Sequence, residues 1–288
     1  MLWPVARGSL AGTEELVAHR SQTEEASRGL LVKIEEYWNR RASADANTAT
    51  TNDVYLRVLE REVLTDHLRQ LGCGSDSWVL DLGCGDGQTI LHLGRQFGCW
   101  GIGIDYSPAM VQLANERLQD RDNEGRITYR MGDLRRASDI VGGQQFDFAL
   151  TDRALINVEK SDEQYTAIGS IAKLVKDNGY YLAIENFEDG NERLNQLRQL
   201  FELPPIPVRW HNRYFKETDF VRQAGLHFRE VGKVEFSSSY YLATRVIYSK
   251  FCQIEGVEPD YLHPIHRLSI LLPQVGDFSP IKLFVMRK

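Results

Sequence analysis

Four cysteines serve 288 residues, and none stands in a C-x-x-C pair or near a histidine at zinc-ligand spacing. Cys73, Cys84, Cys99 and Cys252 therefore give no disulfide framework, and no metal site is expected. Long apolar runs are also missing. Nothing approaches the ~20 residues of a membrane helix, and the opening stretch Met1–Arg7 is too short for a signal peptide, so the expected location is the cytoplasm, away from a membrane. Positive charge is in deficit. Lysine and arginine number 34 against 40 acids, a formal charge of -6, which argues against the basic face that nonspecific nucleic-acid binding needs. Arg126, Arg130, Arg135 and Arg136 cluster in sequence and read as a solvated surface. Apolar residues at 42% with 26% charged residues suit a folded chain that buries a large core and acts on a small molecule.

What is present centres on Trp78-Val79-Leu80-Asp81-Leu82-Gly83-Cys84-Gly85-Asp86-Gly87-Gln88, an apolar strand carrying an acid and running into a G-x-G-x-G turn. Glycines there let backbone approach a ligand closely and adopt conformations that a side chain forbids. A dinucleotide loop needs G-x-G-x-x-G, and Gln88 occupies the place of its third glycine. The next apolar strand, Cys99 to Asp105, ends on an acid 22 residues past Gly83 (105 - 83). At the tip of a second strand such an acid accepts hydrogen bonds from both hydroxyls of a ribose. Ser107-Pro108 supplies a cap and first-turn proline for a helix from Ala109 to Gln119, which puts Tyr106 and Met110 beside an adenine. A third strand, Ile127 to Met131, runs into Gly132-Asp133-Leu134. A fourth, Phe146 to Thr151, runs into Asp152-Arg153-Ala154-Leu155-Ile156-Asn157. After a helix from Asp162 to Lys176 and a turn at Asp177-Asn178-Gly179, Tyr180 to Glu185 reads as a fifth strand.

This order of motifs resembles class I S-adenosylmethionine-dependent methyltransferases over roughly Tyr37 to Glu185. Asp152 to Asn157, the run Leu203-Pro204-Pro205-Ile206-Pro207-Val208 and the ending from Gly276 to Lys288 narrow the likeness to bacterial small-molecule methyltransferases of glycan and natural-product pathways. The resemblance implies a Rossmann-like α/β fold, a seven-stranded mostly parallel sheet with helices on both faces, and S-adenosyl-L-methionine as cofactor. It carries Asp81, Gly83, Cys84, Gly85, Gly132, Leu134 and Thr151 over as cofactor-binding positions, with Asp133 on the adenine amino group. Tyr37, in the context Y-W-x-x-R, either folds over the methionine end of the cofactor or packs in a helix interface.

The expected organisation is an arm over residues 1–28, a helical lid over 29–71, and a methyltransferase domain over 72–288 with capping insertions near 187–215 and 244–276. Within the lid, Ser43 to Asn52 reads as a flexible hinge, and Asp53 to Leu71 as an amphipathic helix with Val54, Val58, Leu64 and Leu68 on one face. A sixth strand is expected from Val231 to Tyr241, with Tyr240 and Tyr241 on opposite faces, and a last strand from Ile281 to Arg287.

The acceptor of a methyl group needs positioning, and an alcohol acceptor needs a base as well. Among seven histidines, His211 is the expected base, because Trp210, Asn212, Arg213 and Tyr214 make a polar pocket around it; Glu185, His263 and His266 come next. Arg153 and Asn157 follow the fourth strand at the sheet edge where ligands bind, and orient the acceptor, while an ion pair with Asp152 or Glu185 is the equal reading for Arg153. Oxygen is the expected acceptor atom and nitrogen the second. An NAD-linked reductase lacks its third glycine here, and a noncatalytic module would not be expected to keep Asp81, Asp105 and Asp133.

Overall fold

The computed structural model describes residues 29–30, 32–118 and 125–288. The arm over 1–28, with His19, and Gln119 at the end of the expected fourth helix lie outside the described residues. Seven strands form one sheet: β1 Trp78–Leu82, β2 Trp100–Asp105, β3 Ile127–Met131, β4 Phe146–Asp152, β5 Val175–Asn186, β6 Glu230–Val234 and β7 Ile281–Arg287, in the order β3-β2-β1-β4-β5-β7-β6. β1 to β5 are parallel and β7 runs antiparallel between β5 and β6. The chain leaves β1 toward β2 on one side and later returns to β4 on the other. That reversal opens the crevice at the carboxyl ends of β1, β2 and β4.

Buried apolar residues alternate along the central strands. Leu80, Leu82, Ala149, Tyr181 and Ala183 pack toward α5 (Ala137–Val141), α6 (Ser161–Leu174) and α8 (Glu217–Ala224). Val79, Phe148, Leu150, Leu182 and Ile184 pack toward α2 (Val54–Gln70), α3 (Gln88–Phe97), α4 (Pro108–Arg117) and α7 (Glu188–Leu200). Both faces are covered by helices, as parallel sheets require.

A first helix over residues 32–44 (α1) precedes α2. Ser43 belongs to it, and the segment that follows is tied down rather than loose. Arg41 donates to the carbonyls of Thr48 and Ala49 and to Asn52 Oδ1, Asp45 accepts from Asn47 N and Thr48 Oγ1, and Ala49 is fully buried. The small polar residues read as a hinge, yet one arginine fork satisfies three of their backbone and side-chain oxygens. On α2 the buried stripe includes Leu56, Leu64 and Leu68, with Val54 and Val58 only half-buried.

Two expectations need correcting. The segment Asp177-Asn178-Gly179 is not a turn ahead of β5 but a bulge inside it: Phe146 pairs with Val175 while Phe148 pairs with Tyr180, and Asn178 sits at φ 68°. Lys176 anchors the bulge through Asp147 at 3.0 Å. The sixth strand stops at Val234 rather than Tyr241. Ser237 Oγ donates to Ile281 O at 3.0 Å and meets Ser279 Oγ at 2.6 Å, so serine hydroxyls replace the ladder there. Chain then turns into α9 (Ser238–Tyr241) and a π-helix over Leu242–Ile247. Tyr240 and Tyr241 are consequently both buried.

Candidate active site

The crevice at the sheet reversal is a cavity of about 220 Å³. Its floor is the glycine turn. Gly83 and Cys84 both donate through their amides to Ile104 O, binding the turn to β2. Gly83 has φ 73° and a Cβ there would lie 2.4 Å from Ala154 Cβ; Gly85 has φ 53° and a Cβ would lie 2.7 Å from Thr50 Cγ2. Only glycine fits either place.

Asp105, at the tip of β2, accepts from Gly85 N at 2.8 Å and from Ser107 N at 2.9 Å, which fixes its carboxylate at the cavity edge with further lone pairs free. Burial pushes its pKa up to about 6. Tyr106, Met110 and Leu134 line the same side. The roof comes from the N-terminal helices: Trp38 Nε1 donates to Asn157 Oδ1 at 3.3 Å, and Asn39 Oδ1 accepts from Ser107 Oγ at 2.6 Å. Thr50, Thr51, Asn52 and Asp53 complete it.

On the far side stand Arg153, Asn157, Asn186, His211, Tyr214 and Tyr241. His211 is only 5% exposed; Tyr37 packs on its ring at 4.5 Å and Trp38 at 5.6 Å. Burial, with Arg209 and Arg41 adding repulsion, holds its imidazole down at about 4, so it is neutral at physiological pH. Its Nδ1 has no hydrogen-bond partner in the protein, and neither have Asn186 Oδ1, Tyr106 Oη and Thr50 Oγ1, all cavity-lining groups. Buried polar atoms left this way call for a polar ligand.

Residues 79–179 match the methyltransferase domain family. Together with the glycine turn and Asp105 at the cavity edge, that decides the class. The chain carries a class I S-adenosylmethionine-dependent methyltransferase domain. Solved structures of similar fold include the protein in complex with the Trm112 methyltransferase activator of Haloferax volcanii, at 15% identity and TM-score 0.53 over 88% of this chain and 94% of that one. Magnesium protoporphyrin IX methyltransferase of Synechocystis PCC 6803, solved with S-adenosylhomocysteine, is 16% identical at TM-score 0.52 over 81% and 85% of the two chains. Geranyl diphosphate C-methyltransferase of Streptomyces coelicolor A3(2) is 15% identical at TM-score 0.50 over 78% and 75%. At these identities the likeness is one of fold. No curated protein matches the chain.

Among the expected positions of the methyltransferase, the fold brings Gly83, Gly85, Asp105, Tyr106, Met110, Leu134, Arg153, Asn157 and His211 to the cavity. Others lie outside it. Asp133 caps a 3-10 turn through Arg135 N at 2.9 Å, and Arg135 Nε donates to both its oxygens at 3.0 and 2.9 Å. Thr151 points to the α6 face and meets Tyr181 Oη at 2.8 Å. Gly132 makes room for Ile140, whose Cδ1 lies 2.2 Å from the place of a Cβ. Cys84 contributes backbone, its thiol being packed against Gly103. Tyr37 buttresses His211 from behind, and its neighbour Trp38 is the residue that faces the cavity.

Asp81 is buried beneath the turn, pushed up to about 8 by burial and by Asp152 and Asp105, with Oδ2 unpartnered. Glu185 is not free to act as a base: its oxygens accept from Leu155 N at 3.0 Å and Ile156 N at 3.3 Å and shape the segment after β4. Arg153, at φ 53°, takes the ion-pair reading with an unexpected partner, Glu60 of α2 at 2.9 Å, and lies 3.6 Å from Asp152. His266 is buried against Tyr240 Oη at 2.8 Å, and His263 caps α11 (Pro264–Ser269).

Asp53 and Arg245 escaped the sequence reading. Asp53 caps α2, accepts from Tyr240 and Arg245, and lines the cavity. Burial works to raise its pKa, but His266, Arg245 and Tyr240 outweigh it and leave it at about 2. The one signal in sequence is an aspartate directly before an apolar periodic segment.

Proposed function

We propose that this methyltransferase moves the methyl group of S-adenosyl-L-methionine to a hydroxyl oxygen of a small molecule, with His211 as the base. The observation that carries this reading is the buried, neutral, unpartnered Nδ1 of His211 in the cavity that Asp105 edges. Asp105 receives the ribose hydroxyls, the Gly83–Gly85 turn admits the cofactor against backbone, and Tyr106 and Met110 flank the adenine. Bound S-adenosylmethionine supplies a sulfonium methyl, and transfer breaks the C–S bond, forms the C–O bond and leaves S-adenosylhomocysteine. His211 takes the hydroxyl proton on Nδ1, in the tautomer that keeps its own proton on Nε2. Asn157, itself held by Trp38 Nε1 and Arg153 O, fixes the acceptor's orientation, and Arg153, paired with Glu60, holds the segment that carries it. A small-molecule acceptor agrees with the substrates named for two of the structures of similar fold, a porphyrin and a prenyl diphosphate. Incubation with cofactor labelled at the methyl carbon and a panel of alcohols, amines and enols tests the acceptor atom. Carbon NMR of the product should place the label on oxygen; a label on nitrogen or carbon contradicts the proposal.

In this reading the lid is α1 and the segment up to Asn52, with α2 fixed against the sheet. Trp38 and residues 50–53 cover the cavity, so in this reading the roof opens to load cofactor and acceptor and closes on them. The contacts that open are Trp38–Asn157 and Asn39–Ser107. Added S-adenosylhomocysteine is expected to slow amide exchange across residues 37–52. Equal exchange with and without ligand would refute lid closure.

A further inference from the structure

The cap that walls the acceptor side of the cavity contains two helices with their polarity reversed. In α10 (Tyr248–Glu255) the buried residues are Ser249 and Cys252, whereas Ile247, Phe251 and Ile254, one stripe at i, i+4 and i+7, are 41%, 62% and 66% exposed. In α11 the buried residues include His266 and Ser269, whereas Leu268, Leu271 and Leu272, continuing into the following turn, are 61%, 78% and 48% exposed. Tyr248 joins the two helices, stacking on His263 at 4.5 Å and lying edge-on to His266 at 5.9 Å. Lys250 and Gln253 reach Glu202 and bring the exposed Leu200 and Phe201 at the end of α7 beside α10.

We propose that this face of the cap docks a second copy of the chain, stripe against stripe about a two-fold axis. Its apolar side chains offer an area on the order of 1,000 Å², above the ~300–600 Å² patch of an ordinary monomer and enough for the ~800 Å² that one partner gives a standard interface. Charge selects the occupant. Between Tyr248 and Val275 two bases, Lys250 and Arg267, are interleaved with three acids, Glu255, Glu258 and Asp260. An anionic bilayer offers a single sign and matches only the two bases, with the three acids repelled. A second copy instead presents the same apolar stripes, and a two-fold arrangement lets Arg267 of each copy meet the acids of the other. The inner side of the same elements carries Arg245, held over the rings of Tyr241 and Tyr261 at 5.6 and 4.8 Å on the cavity wall. Pairing would therefore brace the wall that the acceptor meets.

Sedimentation equilibrium on the full chain tests this, with Ile254→Asp and Leu271→Asp in the stripes and Leu226→Asp, 70% exposed after α8, as control. The expected result is a dimer for the wild type and the control, with the dissociation constant raised at least about 100-fold in each stripe variant, as a charge buried without a partner in an interface requires. A monomeric wild type, a dimer indifferent to both stripe substitutions, or a monomer that binds phosphatidylcholine vesicles overturns the proposal. Amide exchange in the unaltered chain gives an answer independent of how the variants fold. Residues 247–254 and 268–272 should exchange more slowly as concentration rises, and a concentration-independent pattern also overturns it.

Discussion

Replacing His211 with alanine is expected to lower kcat at pH 7 by about 10²- to 10⁴-fold while leaving affinity for S-adenosylmethionine nearly unchanged. In the proposed reading the imidazole faces the acceptor, so its loss removes proton transfer and not cofactor binding. Its low pKa has a consequence for the wild type. Held at about 4, the ring stays unprotonated well below the usual histidine range, so kcat should remain level from about pH 6 to 8 instead of falling below 6.5. A hydroxyl oxygen that is becoming methylated turns strongly acidic, and even a weakly basic imidazole accepts its proton. Steady-state rates on the acceptor identified by labelling measure both points. Wild-type turnover in His211→Ala would place the base elsewhere.

Asp86→Ala should cost about 3–5 kcal/mol of folding stability, the cost of leaving buried charge without its partner. Asp86 is fully buried in the glycine turn, where it binds Arg57 of α2 and, at 2.9 Å, Arg117 of α4. Arg57 is itself buried, and removal of the acid strands its guanidinium and leaves the half-buried Arg117 with only the Ala46 carbonyl. The same pairs fasten α2 and α4 to the glycine turn. Urea unfolding measures the loss, and Asp86→Asn, which keeps the size and two acceptor lone pairs, should lose less. A change under about 1 kcal/mol for Asp86→Ala would mean that the arginines find water instead.

The sequence carried much of the fold because its signals there are local. Ile127–Met131 and Ile281–Arg287 are strands with the expected bounds, and the turn after β1 with Asp105 across from it reaches the cavity as spacing implies. Side-chain roles were harder where a competing partner lies close or far along the chain. Arg135, two residues on, takes Asp133; the alternation of β4 sends Thr151 to Tyr181 and away from the cavity. Three serines in a row convert the expected end of β6 into a helix and turn both tyrosines inward. Arg153 meets Glu60 across 93 positions, and Tyr240 meets Asp53 across 187, distances over which no period or spacing in the sequence speaks. The cavity wall opposite Asp105 is therefore the least legible part of the site, since it is assembled from the insertions and α2 together.

Calorimetric titration with S-adenosylhomocysteine, on the wild type and on Asp105→Ala, tests the central claim that this cavity is the cofactor site. Wild-type protein should bind one equivalent, with affinity level above about pH 6 and falling as pH drops below it, because the ribose hydroxyls donate to the ionised carboxylate and Asp105 takes up its proton near 6. Asp105→Ala should lose about 1.5–3 kcal/mol, roughly 10- to 150-fold in affinity, and the acid-side fall with it. Equal affinity in the two proteins, or no binding to either, would contradict the account.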